Sequence, residues 1–225
     1  MRGHAIATGG FTPVSYRPST GEAGYWSEIE VTILTSPAGG AEGILPPRND
    51  PATAKRLLEI IDNDADYTAF YGSAAAPAGD EYEYLIVTRE AFEASFAPLK
   101  EFYDRRGMRT KIMTVEEIDS GFTGVDTAER IRNAVMAEYL GHGITHLLLA
   151  GDGEASSPAN VPFRGLYCAV QSVTLYTDSN MPSDVYFSAL DGNWNADGDG
   201  LWGEPGEEDF FGEIAVGRAS IESAA

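Results

Sequence analysis

The spacing of apolar residues changes partway along this chain. From residue 12 to 34 the period is two. Ile29, Val31 and Ile33 alternate with Glu30 and Thr32, and Pro18-Ser19-Thr20-Gly21 supplies a turn. The stretch reads as a β-hairpin whose second strand is half-buried. Ser36 to Pro47 is rich in Pro, Gly and Ala and too poor in large apolar side chains to pack. Asp50-Pro51 is an N-cap followed by proline at the first helical position, and it opens a helix with Leu57, Leu58 and Ile61 inward. Ala74 to Asp80 has the low complexity of a linker. It suggests an N-terminal segment over 1–79 and a second domain over 80–225.

Beyond that linker, strand and helix patterns alternate. Tyr84-Leu85-Ile86-Val87 is a short apolar strand. Phe92, Phe96, Leu99 and Tyr103 share one helical face before a stop at Gly107, and Pro98 should kink that helix or shift its start. Arg109 to Val115 is a second strand. Asp126 and Glu129 form a capping pair for a helix reaching Leu140, with Ile131 and Val135 inward and Gly141 at its end. His146-Leu147-Leu148-Leu149-Ala150 is the continuous apolar run of a central strand covered on both faces. This order implies right-handed crossovers and a doubly wound parallel sheet, hence an α/β fold. Ligands of such sheets bind off the carboxyl ends of the strands, here near Thr88, Glu116 and Asp152. Gly151-Asp152-Gly153 is not a dinucleotide fingerprint.

Charge adds a second feature. Between Gly165 and Gly217 there is no Lys or Arg, yet there are ten carboxylates, half of the formal net charge of −20. Crowded like charges need a counter-cation or solvent screening. With Asn193 as position 1 of a twelve-residue loop, Asn195, Asp197, Asp199 and Glu204 fall at positions 3, 5, 7 and 12, and Gly198 at the turn position. Alternate oxygens on a tight loop plus a distant bidentate carboxylate suit Ca²⁺. An overlapping frame starting at Asn195 also uses Asp197 and Asp199, and a plain solvated acidic turn has the same composition. A pI of 4.3 argues against nucleic acid. The single Cys168 allows no internal disulfide, and no apolar run has the length of a membrane span. The opening residues lack the apolar core of a signal peptide.

Several segments resemble the gingipain-type cysteine peptidases. They are Tyr84 to Thr88, Pro98-Leu99 before Arg106-Gly107, Ile131-Arg132-Asn133, Leu147 to Asp152, Ser183 to Tyr186, Leu190-Asp191-Gly192 and Glu213 to Arg218. The similarity runs from about Glu83 to Ser223, and Pro13 to Pro18 with Gly21 resembles the end of that family's pro-segment. The resemblance implies a caspase-like three-layer α/β fold, bound calcium, a secreted or cell-surface location and protein or peptide substrates. It also implies hydrolysis by a Cys–His pair, which the family carries in a subdomain downstream of the Gly-Arg that is here Gly217-Arg218. In this resemblance Asp184 matches the acid that orients the catalytic histidine. Asp209 aligns, more loosely, with the acid at the base of the P1 pocket. Either aspartate reads equally as a loop cap or a calcium ligand.

Cys168 reads as a small core residue rather than the nucleophile. Gly141 and Gly143 separate His142 from His146, His4 lies in a terminus expected to be mobile, and Trp194 and Trp202 are expected to cover the calcium loop. Two functions fit: an inactive portion of a calcium-stabilised endopeptidase, or a non-catalytic calcium-binding scaffold or adhesion module.

Overall fold

A computed structural model describes residues 2–4, 6–32, 34, 45–71, 81–153 and 160–223. The linker over 74–80 lies outside them, as does most of the 36–47 loop. The chain forms two compact units, Ala5–Glu42 and a larger one of Met1–His4 with Gly43–Ala225.

In the small unit, β1 (Val14–Arg17) and β2 (Glu22–Tyr25) pair antiparallel, with Val14 opposite Tyr25 and Arg17 opposite Glu22. The Arg17 carbonyl accepts from Thr20 N–H at 3.2 Å and Gly21 N–H at 2.9 Å, and Gly21 supplies the φ of +71° the turn requires. The expected half-buried strand around Ile29 and Val31 is not formed, and Val31 is 67% exposed. Ile33 lies outside the described residues. β1 pairs instead with Glu22–Tyr25 directly after the turn, so the stretch around Ile29 and Val31 has no strand partner among the described residues.

In the large unit, the Asp50 carboxylate accepts from the Thr53 N–H at 2.8 Å and so caps α1 (Pro51–Leu58). Leu57 is buried and Leu58 exposed, while Ile61 is half-buried but lies beyond the end of the helix, so of the expected face only Leu57 is a buried helical residue. A further helix, α2 (Asp64–Tyr71), carries Tyr67 and Tyr71 against His4, which is buried and not part of a loose terminus.

The core is a parallel sheet of four strands in the order β4-β3-β5-β8: β3 (Tyr84–Thr88), β4 (Thr110–Thr114), β5 (His146–Ala150) and β8 (Ala215–Ala219). Val87 stands opposite Met113 and Leu149. Leu85, Ile86 and Val87 are all fully buried although neighbours on a strand face opposite sides. Both faces of the sheet are therefore covered. Right-handed crossovers account for this: α3 (Glu90–Asp104) links β3 to β4 in one direction, and α4 (Val115–Gly121) and α5 (Thr127–His142) return over β3 to β5 on the other face. The fold is the expected doubly wound α/β arrangement.

The helix α3 starts at Glu90 and continues through Pro98 to Asp104, with Phe92 buried and Phe96, Leu99 and Tyr103 half-buried. Unanticipated α4 is set by a capping box between Thr114 and Glu117. At the start of α5, Asp126 accepts the Glu129 N–H at 2.9 Å. The helix runs past Gly141 to His142, because Gly143, at φ +83°, is the residue that caps it. Two further strands, β6 (Arg164–Gln171) and β7 (Leu175–Ser183), form an antiparallel hairpin.

Candidate functional site at the carboxyl edge of the sheet

The crossovers leave β3 and β5 in opposite directions, so the carboxyl ends of these strands frame the crevice where doubly wound sheets bind ligands. That edge is tied down. Thr88 donates its hydroxyl to the Ala150 carbonyl at 2.7 Å, Gly151 N–H donates to Ala219 at 2.9 Å, and Asp152 N–H donates to Ile221 at 2.9 Å.

Three arginines outside the acidic window hold its parts in place. Arg218, near the end of β8, makes a bidentate pair with Asp184 (Nε to Oδ2 at 2.8 Å, Nη2 to Oδ1 at 2.6 Å). It also donates to the carbonyls of Gly151 at 3.0 Å and Val161 at 2.5 Å. Asp184 directly precedes a 3-10 turn over Val185–Phe187, and its side chain caps nothing there. Arg132 on α5 is buried and donates to the carbonyls of Tyr186 at 3.2 Å, Ala189 at 3.0 Å and Asp191 at 2.9 Å. Arg164 pairs with both oxygens of Asp126 at 2.7 and 2.8 Å, with its guanidinium 3.8 Å from the Trp202 ring centre and 4.7 Å from that of Tyr186. Burial raises the Asp126 pKa, but the bond from Arg164 and the Glu129 N–H outweigh it and hold the carboxyl below the usual range.

The carboxylates then sort into two groups. Asp197, Asp199 and Glu204 each place an oxygen within 4.8 Å of the others, in an exposed loop. These are three of the five residues expected to bind calcium. The other two, Asn193 and Asn195, accept backbone N–H groups of Asn195 at 3.1 Å and Gly200 at 3.3 Å, which tightens the same loop. Gly198 turns it at φ +75°. Partial burial, followed by the charges of Asp199, Asp197 and Glu207, raises the Glu204 pKa. Hard carboxylate oxygens converging at this separation are a donor set that suits Ca²⁺. Trp194 is buried and Trp202 half-buried, both packed with the core beneath the loop.

Asp209 falls in the second group, within the same 4.8 Å span of Asp191 and Glu213. Glu213 is 1% exposed, and its oxygens accept from Arg2 N–H at 3.2 Å and Leu190 N–H at 2.9 Å. Burial, a hydrogen bond with Asp209 and the charges of Glu213 and Asp209 push Asp191 up to about 7. This group holds a proton near neutrality, and its negative field favours a guanidinium or ammonium group. Asp184 is not part of it, being held by Arg218.

A family model described as "Peptidase family C25" matches residues 78–225. The chain belongs to peptidase family C25. Gingipain R2 of Porphyromonas gingivalis, in two strains, is 22% identical over 226 aligned residues covering 99% of this chain and 25% of the relative. The chain thus spans about a quarter of the length of these curated relatives. Among solved structures, the complex of P. gingivalis RgpB pro- and mature domains is 23% identical over 63% of this chain and 25% of that one, with a TM-score of 0.41. The Arg specific cysteine proteinase gingipain R is 22% identical over 66% of this chain and 27% of that one, with the same TM-score of 0.41.

In this C25 chain Cys168 lies half-buried on β6 and is not the core residue expected from sequence. His142 stacks on Tyr82 with ring centres 4.8 Å apart, and His146 lies on β5, where Thr145 Oγ1 is 2.8 Å from its Nδ1. Periodicity offered no route to the roles of Arg132, Arg164 and Arg218. The usable signal was charge: ten carboxylates without an internal cation call for cations from just outside the window, and Arg164 and Arg218 bracket it.

Proposed function

We propose that this chain is the non-nucleophilic part of a calcium-stabilised, secreted or cell-surface cysteine endopeptidase, inactive by itself. The Cys–His pair comes from a downstream subdomain of the same parent chain. The match to peptidase family C25 over 78–225 carries this reading. It is supported by the placement of the only cysteine on β6 and of His142 and His146 on α5 and β5.

In such an enzyme a thiolate attacks the peptide carbonyl, an imidazole moves the proton and a carboxylate orients the imidazole. Asp184 takes the orienting role. A carboxylate has about four lone-pair sites, so bonds to Arg218 leave room for an imidazole N–H, and Arg218 fixes the carboxylate for it. Asp209, backed by Asp191 and Glu213, forms the base of an acidic P1 pocket. Ca²⁺ held by Asp197, Asp199 and Glu204, with Asn193 and Asn195, would offset most but not all of the charge of these three carboxylates and is structural.

Assay of thiol-dependent peptide hydrolysis tests this reading. The chain alone should show none, and the parent extended through the next Cys and His-Gly segments should show it. Turnover by the chain alone that is lost on Cys168→Ala would overturn the placement. An extended reading frame without a Cys–His pair would favour the calcium-bound scaffold instead.

A further inference from the structure

The β6–β7 hairpin carries a largely apolar face that the other described residues leave exposed at its outer end. Every second side chain of a strand shares a face. On β6, Leu166 is buried in the core, Cys168 is half-buried, and Val170, opposite Tyr176 on β7, is exposed. The face that packs into the core at Leu166 therefore continues outward, leaving Val170 53% and Tyr176 62% exposed. The pair is a two-stranded sheet, so each strand keeps an unpaired outer edge. At the base of the outer edge of β6, the Tyr167 N–H donates to the Trp202 carbonyl at 2.7 Å. Ala169 and Gln171 have the same outward parity further along, and no third strand of the described residues lies beside them.

Charge selects what fits there. Residues 166–183 carry no Lys or Arg and one carboxylate, Asp178, which stands opposite Cys168 and so shares the face of Val170 and Tyr176. The Tyr167–Trp202 bond brings the base of this edge against the loop that bears Asp197, Asp199 and Glu204. A second copy of the chain would bring another −20 and be repelled. An extended segment with basic residues between apolar ones would be attracted, because its main chain can pair with the edge while alternate side chains meet Val170 and Tyr176.

We propose that the outer edge of β6, with the Val170–Tyr176 face, docks an extended cationic polypeptide by strand addition. Choosing a polypeptide as partner rests on the peptidase reading. Binding is measured without turnover, so its failure leaves that reading intact, and loss of the reading leaves measured binding intact.

The test uses a labelled peptide of about ten residues alternating Val and Lys, titrated into the full chain, with a Val/Glu peptide as the control. Saturable binding of the Val/Lys peptide is expected, weakened about tenfold or more at ~0.5 M salt and by Val170→Lys with Tyr176→Lys. Ala169→Pro, which deletes an outward N–H, should cause a comparable loss, and the amides of Ala169 and Gln171 should gain hydrogen-exchange protection on binding. The proposal is overturned by no binding, by equal binding of the Val/Glu peptide, or by binding unchanged in both variants. A dimer of the chain that the double variant dissolves would likewise overturn it and identify the face as a self-contact.

Discussion

Two groups of three carboxylates in this chain meet the same electrostatic problem in different ways. Asp191, Asp209 and Glu213 sit partly or fully buried, and protein groups compensate them. Backbone N–H groups of Arg2 and Leu190 bond Glu213, while Asp191 retains a proton to about pH 7. Asp197, Asp199 and Glu204 lie in an exposed loop with no arginine or lysine between Gly165 and Gly217 to neutralise them. The buried group is compensated within the fold, whereas the exposed group would need a cation from solution to compensate it. Burial makes the difference: desolvation makes internal compensation obligatory, and solvent access lets an ion supply it.

The largest effect should come from removing the support of the buried group. Arg132→Ala leaves the carbonyls of Tyr186 and Asp191 without this donor and that of Ala189 with only the 3.5 Å bond from Trp194 Nε1; at ~1–3 kcal/mol for each acceptor left unpaired, denaturant unfolding should show a loss of about 3 kcal/mol. A loss within error would show that the 186–192 segment does not depend on this arginine.

Next comes calcium. A cation bound only by the folded chain at about a hundredfold its Kd adds ~2.7 kcal/mol. EDTA should therefore lower Tm by roughly 5–10 °C, and Glu204→Ala should abolish the difference. An identical Tm in both solutions would remove calcium from the account.

The proton held by the buried group gives a third test. The folded-state pKa of Asp191, about 7, is raised above the ordinary 3.8. The folded chain therefore binds an extra proton between those values, and the contribution of this group to stability falls as pH rises through that window. Asp191→Asn should raise Tm relative to wild type at pH 8 and lose that advantage at pH 4. A pH-independent difference would place the shared proton elsewhere. The smallest effect concerns Glu207, whose Oε1 accepts from Ala196 N–H at 2.7 Å and Asp197 N–H at 3.3 Å. Glu207→Ala should cost about 1 kcal/mol and weaken calcium binding, with unchanged affinity the contrary result.

The sheet was legible in the sequence because its strands are short apolar runs and its helices carry caps. Tyr84 to Val87, His146 to Ala150 and the Asp126–Glu129 pair all appear where their patterns placed them. Elements set by tertiary context were harder to read. The hairpin of β6 and β7 has no clean alternation, since the register shifts between Leu166 and Cys168 and most of its outer half is exposed. Ile29 and Val31 alternate as a strand should, yet find no strand partner among the described residues, since β1 pairs with Glu22–Tyr25. At the candidate site, loop spacing anticipated the grouping of Asp197, Asp199 and Glu204. The grouping of Asp209 with Asp191 and Glu213, and of Asp184 with Arg218, joins residues distant in sequence whose contact only the folded sheet creates.

Calorimetric titration of Ca²⁺ into the wild-type chain, Asp199→Ala and Asp209→Asn tests the distinction between the two groups most directly. A saturable site is expected in the wild type, with its loss in Asp199→Ala and its retention in Asp209→Asn. Absence of binding in the wild type, or loss of the site in Asp209→Asn with retention in Asp199→Ala, would contradict that distinction.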